Sequence, residues 1–259
     1  MKQLNAKFRT FTRFRFIYIA KHLSLILGMV FTLLIVSYVY QELQTDRFHS
    51  KVDNIYVLVE KRTLSSDWKG RTIFRQADID KIKSMPGVEQ YTTIQKYRNE
   101  DVRITIDQRK FQSKCFVVRN NFFELFDFEF ARGNVDMFKE KPRGVILTRE
   151  LVRKMFGEDD PMGKSFEILI DKKQLFTVCG VLEDIPVNSS MDFDFIVSEN
   201  SSNWYSRMGV GFLLANKNFD SKEFKQKFKN LTRNKYQNDE GILSIIPFKE
   251  AYFKGNDYY

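Results

Sequence analysis

The sequence has few of the residues that most catalytic and metal centres require. Its 259 residues include only two histidines, His22 and His49, and only two cysteines, Cys115 and Cys179. The histidines flank an apolar stretch and the cysteines form no Cys-x-x-Cys pair, so no zinc site of typical ligand spacing is predicted. The Gly-x-Ser-x-Gly and His-Glu-x-x-His motifs are also absent. We therefore expect no enzyme activity, no cofactor and no bound metal.

Glycine and proline are also scarce, at 12 and 5 residues, while 29% of the residues are charged. This composition excludes collagen-like, low-complexity and disordered chains. Acidic residues are missing from residues 1–22, which contain six lysines and arginines and so hold two thirds of the net charge of +9. The rest of the chain is nearly balanced, and no nucleic-acid partner is predicted.

Residues 23–40 are uncharged and apolar, and a helix of this length nearly crosses the hydrocarbon core of a bilayer. The preceding basic residues predict that 1–22 stay in the cytoplasm, in contact with anionic membrane lipid, and that the chain after Tyr40 lies outside. A buried soluble helix and a cleaved signal peptide are the alternatives. Ser24, Gly28 and Thr32 recur every four residues, which predicts a face that packs against other membrane helices.

After the apolar stretch, strand and helix patterns alternate and predict an α+β domain. Strands are predicted at 54–63, 91–97, 144–148 and 191–198, and a hairpin within 102–118. Thr148 is the predicted N-cap of a helix that stops at Gly157, and Asp220 is the predicted cap of another. Cys115 and Cys179 lie in apolar strands, which favours buried thiols over a disulfide.

Residues 157–165, GEDDPMGKS, look like a nucleotide-binding loop. They do not match it, because five residues separate the two glycines where the motif has four. Three acidic side chains would also repel phosphate. The segment follows a helix, whereas a phosphate loop follows a strand.

Several segments resemble MacB/FtsX-like ABC transporter permeases, in the order that this family shows. They are ELQTDRFHSKVDNIY at 42–56, MPGVE at 85–89, NNFFELFDFEFARG at 120–133, GVILTRELVRKMFGEDDPMGKSF at 144–166 and FTVCGVLEDIPVNSSMDFDFIVS at 176–198. The most specific element is the FG-x-x-DP-x-GK pattern, formed by Phe156, Gly157, Asp160, Pro161, Gly163 and Lys164. In this resemblance the pattern is a structural turn that follows a helix.

The resemblance implies a single N-terminal transmembrane helix followed by a porter-like extracytoplasmic α+β domain, residues 41–259, with a small α/β subdomain inserted at about 98–190. It implies the inner membrane as location. The implied partners are the permease's other transmembrane helices, a separate ATP-binding subunit, a second permease copy and a periplasmic adaptor protein.

The function implied is that of an export permease whose outer domain transmits movement driven by the ATPase. Asp46, Arg47, Phe48 and His49 are predicted to join the membrane helix to that domain, although they could also merely end the helix and pack locally. Because only one span precedes Tyr259, we expect either the N-terminal portion of a longer permease or a degenerate one. The alternative function is a single-span sensor or adaptor whose outer domain binds a ligand or a peptide.

Overall fold

The computed structural model describes residues 2–61, 68–70, 76–97, 102–106, 108–169, 172–201, 209–233 and 242–254. The chain divides into two compact units, Met1–Thr45 and Asp46–Tyr259.

The first unit is one long helix, α1, Lys2–Leu43. Among the described residues, only this helix contains a stretch long and apolar enough to cross a membrane, Ile17–Leu43. The predicted span at 23–40 lies inside that stretch. Its apolar side chains are exposed, as expected for a helix whose surroundings are lipid.

The second unit is a mixed α+β domain. The described strands are β1 Ile55–Lys61, β2 Trp68–Gly70, β3 Val88–Tyr97, β4 Arg103–Ile106, β5 Arg109–Gln112, β6 Cys115–Val118, β7 Phe130–Gly133, β8 Gly144–Thr148, β9 Ser165–Leu169, β10 Lys173–Leu182, β11 Phe195–Ser198, β12 Val210–Ala215 and β13 Ile242–Pro247. The described helices are α2 Gln76–Lys83, α3 Phe122–Leu125, α4 Val135–Glu140, α5 Arg149–Phe156, α6 Ser221–Arg233 and α7 Phe248–Ala251.

The described strands form one sheet, in the order β13-β1-β12-β3-β6-β11-β8-β10-β9-β4-β5. β2 pairs with β1, and β7 pairs with β10. The pairs β8–β10 and β6–β11 are parallel, and the other described pairs are antiparallel. This mixed sheet confirms the predicted α+β class.

Buried apolar side chains form three clusters along the sheet. One lies between α2, α6 and the strands β1, β3, β12 and β13. A second lies under α5 and includes residues of β4, β6, β8, β9, β10 and β11. The third is rich in phenylalanine and includes side chains of the 122–138 segment and of α7. Because the sheet runs through all three, the inserted subdomain at 98–190 stays a prediction.

The ends of two helices are fixed as their sequences predict. The Thr148 hydroxyl accepts a hydrogen bond from the Leu151 N–H, and Gly157, at φ 64°, ends α5. The Asp220 carboxylate accepts hydrogen bonds from the N–H groups of Lys222 and Glu223 at the start of α6. Local sequence therefore determines where α5 and α6 begin.

The strand predicted at 191–198 is shorter in the structure, because β11 begins only at Phe195. Before it, the Asp194 carboxylate accepts a hydrogen bond from the Lys114 N–H, and the Asp194 N–H bonds the Lys114 carbonyl. Cys115 and Cys179 are both free and buried, which confirms the buried-thiol alternative.

Candidate functional site

The second unit begins with a buried aspartate. Only 1% of Asp46 is exposed, and its backbone lies in the left-handed region at φ 60°, which Asp tolerates better than most residues. Its Oδ1 accepts a hydrogen bond from the Ser190 N–H at 2.8 Å, and its Oδ2 accepts another from the Ser190 hydroxyl. Its own N–H donates to the Asn188 carbonyl at 2.9 Å. Three hydrogen bonds thus attach Asp46 to the 188–190 turn.

Burial raises the pKa of the Asp46 carboxyl, and the two hydrogen bonds from Ser190 counter this in part. Because the carboxyl must give up hydration, the attachment depends on these hydrogen bonds being formed.

A second attachment lies three residues further on. His49 is 1% exposed, and its Nδ1 accepts a hydrogen bond from the Asp127 N–H at 3.0 Å. The Asp127 carboxylate in turn accepts a hydrogen bond from the Ser50 N–H. Since Nδ1 is an acceptor, the imidazole is neutral and carries its proton on Nε2. Burial lowers the pKa of His49 to about 4.

Aromatic rings surround the imidazole. Its centroid lies 4.0 Å from the ring of Phe48 and 5.3 Å from those of Phe126 and Phe128. The Nε2 atom is buried and has no hydrogen-bond partner among the described residues. Among the described residues, the side-chain contacts of His49 therefore consist of one hydrogen bond and packing against aromatic rings.

A cavity of about 550 Å³ adjoins this segment. Its apolar lining is formed by Phe48, Phe123, Phe126, Phe128, Phe130, Val135, Leu182, Ile185 and Pro186. The charged residues of its lining, within the described part of the chain, are all acidic: Asp127, Glu129, Glu183 and Asp184. Its volume is in the range typical of small-molecule sites.

Two of the four carboxylates have cationic neighbours outside the lining. Glu183 is paired with Arg149 at 2.6 Å, and Asp184 lies 3.9 Å from Arg153. Within the part of the chain that the structure describes, no ion pair includes Asp127 or Glu129. The cavity thus combines phenylalanine rings with two carboxylates that have no cationic partner among the described residues.

The FG-x-x-DP-x-GK pattern forms a turn between α5 and β9. Gly157 and Gly163 both have positive φ, at 64° and 75°. The Asp160 carboxylate accepts a hydrogen bond from the Met162 N–H and pairs with Arg132 at 2.7 Å. The Lys164 ammonium lies over the ring of Phe156. The buried Pro161 accepts a hydrogen bond from the Lys164 N–H through its carbonyl. A family-specific role for the pattern stays a prediction.

The hydroxyls of the predicted packing face bond within their own helix. Ser24 donates to the Ala20 carbonyl and Thr32 to the Gly28 carbonyl. A Cβ placed at Gly28 would meet no described atom within 4 Å beyond the backbone of its own helix. Packing of this face against another helix stays a prediction.

The structure brings together Asp46, Phe48 and His49 and leaves Arg47 exposed. Sequence reasoning missed the groups that receive them, Ser190 and Asp127, and it missed the cavity. The run NNFFELFDFEF at 120–130, with acidic residues between phenylalanines, was the signal that could have indicated an acidic aromatic pocket.

Comparison with known proteins identifies the family. The profile of the MacB-like periplasmic core domain matches residues 22–231, which is more than half of the chain. The chain belongs to the MacB-like periplasmic core domain family. No curated protein matches the sequence.

Solved structures show the fold of this MacB-like chain. A domain of a protein described as a permease, from Porphyromonas gingivalis, has 18% identity and a TM-score of 0.58, over 77% of this chain and 91% of that one. The periplasmic region of MacB from Actinobacillus actinomycetemcomitans has 11% identity and a TM-score of 0.54, over 79% and 94%. The extracellular domain of the noncanonic ABC-type transporter YknZ from Gram-positive bacteria has 14% identity and a TM-score of 0.56, over 74% and 100%.

Proposed function

We propose that this MacB-like chain is the N-terminal portion of an ABC-type export permease subunit. Its outer domain transmits conformational change driven by a separate ATP-binding subunit and does not itself catalyse a reaction. The observation that carries the proposal is the attachment of Asp46 and His49, directly after the helix-bearing unit, to two distant segments of the domain. Family membership and the apolar helix support it.

The physical argument concerns how a displacement at Thr45 would reach the domain. A flexible linker would absorb it, whereas residues 46–50 are fixed by hydrogen bonds to Ser190, Asn188 and Asp127. Ser190 precedes β11 by five residues, and Asp127 precedes β7 by three. Movement of the junction therefore acts on loops that lead directly into the sheet.

The rest of the proposal follows from this role. Residues 1–22 lie in the cytoplasm against lipid, 23–40 cross the inner membrane, and 41–259 lie in the periplasm. Ser24, Gly28 and Thr32 contact other helices of the permease. The permease works as a dimer with its ATPase and a periplasmic adaptor protein.

The non-catalytic role is supported by the state of the reactive side chains. His49, Cys115 and Cys179 are all buried, where a substrate cannot reach them. Burial also raises the pKa of both thiols, that of Cys179 to about 11, so neither is a thiolate near neutral pH.

A spin-label experiment tests the transmission. Because both native thiols are buried, a cysteine introduced at the exposed Glu158 can be labelled selectively in the assembly with its ATP-binding subunit. We expect the distance between labels on the two permease copies to change when ATP replaces ADP. Asp46→Ala should abolish most of that change. Thr148→Ala is the control, since it removes a helix cap away from the junction.

An equal ATP-dependent change in wild type and Asp46→Ala would contradict transmission through the junction. In that case residues 46–49 end the helix and pack locally, without a coupling role.

The second candidate function is a single-span sensor or adaptor, and the cavity beside Phe48 is the observation that favours it. The two candidates make different genetic predictions. A permease requires an ATP-binding subunit, usually encoded nearby, and deleting that gene should give the same phenotype as deleting this one. A sensor should keep its function without the ATPase.

A further inference from the structure

We propose that the cavity beside Phe48 binds an organic cation with an apolar body, such as an aryl- or alkylammonium compound. This inference is independent of the transmission role, because it requires only the domain that contains the cavity.

The shape and chemistry of the cavity indicate this class. Phe123, Phe128 and Phe130 are half-buried and face a space of about 550 Å³, enough for a compound of drug size. Phenylalanine faces attract cations as well as apolar groups, and they bind quaternary ammonium groups well when several rings converge. The phenylalanine rings alone would suit either an uncharged apolar ligand or a cationic one. The charge of the lining decides between these two classes of ligand.

The electrostatics favour a cation. Asp127 and Glu129 flank Phe128 in sequence, and both line the cavity. Glu183 and Asp184 also line it, and their cationic neighbours Arg149 and Arg153 lie outside the lining. Among the described residues, no lysine or arginine is part of the lining. An anion would meet four carboxylates, whereas a cation would supply the positive partner that Asp127 and Glu129 do not have among the described residues.

Asp127 and Glu129 are suited to different roles in binding a cation. Asp127 already accepts the Ser50 N–H, which holds its carboxylate in place. Glu129 is exposed, makes no ion pair among the described residues, and can move to meet the ligand. Glu129 is therefore the residue whose charge can be removed with least effect on folding.

The experiment uses the full chain in maltoside micelles, which contain no ammonium group. The probe is 4-phenylbutyltrimethylammonium, compared with 4-phenylbutanol and 4-phenylbutyrate, and binding is measured by calorimetry with empty micelles subtracted. We expect at least about tenfold tighter binding of the cation than of the alcohol, and no binding of the carboxylate.

Variants then locate the site. Glu129→Gln should weaken binding of the cation about fivefold, and Phe130→Leu about threefold. Glu140→Gln is the matched control, because Glu140 is also exposed and is not among the described lining residues. It should leave binding unchanged. Unaltered thermal midpoints show that each variant is folded.

Equal affinity for the cation and the alcohol would overturn the proposal, as would full binding by Glu129→Gln. Tighter binding of a lysine-rich peptide would also overturn it, since the site would then receive a protein segment. Failure of these tests would leave the spin-label result at the junction untouched, so the two proposals fail separately.

Discussion

Asp46→Ala is the substitution that tests the junction most directly. The change removes two acceptors for Ser190 and places alanine at φ 60°. Hydrogen bonds to a charged, buried group contribute about 1.5–3 kcal/mol, part of which the desolvation of Asp46 already offsets. The left-handed conformation costs alanine about 1 kcal/mol more than aspartate. We expect a total loss of about 3 kcal/mol in the free energy of unfolding.

Two further variants separate the contribution of the hydrogen bonds to stability from that of the backbone conformation at residue 46. Asp46→Asn keeps an acceptor for the Ser190 N–H and tolerates the positive φ, so its cost should be about 1 kcal/mol. Ser190→Ala removes only the hydroxyl and leaves Oδ2 of Asp46 without that donor. Combining it with Asp46→Ala should show a coupling energy of about 1–2 kcal/mol, because both changes remove the same hydrogen bond.

The assays are denaturant unfolding of the full chain and hydrogen exchange at the Ser190 amide. This amide donates to Asp46 Oδ1 at 2.8 Å, so exchange should accelerate in Asp46→Ala and change little in Asp46→Asn. Strictly additive effects of Asp46→Ala and Ser190→Ala, with unchanged exchange, would refute the reasoning that the two residues form one attachment.

Three other predictions concern the domain itself. Burial lowers the pKa of His49 to about 4 in the folded domain, whereas in the unfolded chain the pKa is about 6.5. As pH falls, His49 is therefore protonated in the unfolded chain before it is protonated in the folded domain. The stability that the neutral imidazole contributes is lost as pH falls from 6.5 toward 4, by about 3 kcal/mol, and titration of His49→Asn should lack this loss. Gly157→Ala meets no neighbour, but alanine rarely adopts the backbone conformation of Gly157, φ 64° and ψ −120°, so the change should cost about 2 kcal/mol. Gly133→Ala, also at positive φ, places Cβ against the Cys179 carbonyl oxygen and should prevent folding of this region. Cys115 and Cys179 should react with a thiol reagent only after unfolding, and fast labelling of either in the native state would contradict their burial.

Local features of the domain were predictable because short-range chemistry determines them. The Thr148 cap, the Gly157 stop and the Asp220 cap each involve residues within four positions of one another. The α+β class follows from the same kind of pattern, since it requires only the period of the apolar residues. The predicted start of the strand at residue 191 was wrong. The Asp194 carboxylate accepts a hydrogen bond from the N–H of Lys114, which lies 80 residues earlier in the chain, and β11 begins only after it.

The junction marks the limit of this reasoning. Its own residues, Asp46 to His49, could be selected from the sequence, because they follow the apolar helix and carry the family resemblance. Their partners could not, since Ser190 is 144 positions from Asp46 and Asp127 is 78 from His49. In a strand or helix, the spacing of the apolar residues identifies the buried face. A turn that hydrogen-bonds a single carboxylate has no such repeating pattern in its sequence. The 188–190 turn and the loop between α3 and β7 therefore become part of the site only through the fold. The same holds for the cavity, whose walls come from Phe48 and from the segments 123–135 and 182–186. Phe48 belongs to both the junction and the cavity, because its ring lies 4.0 Å from that of His49 and it also lines the cavity.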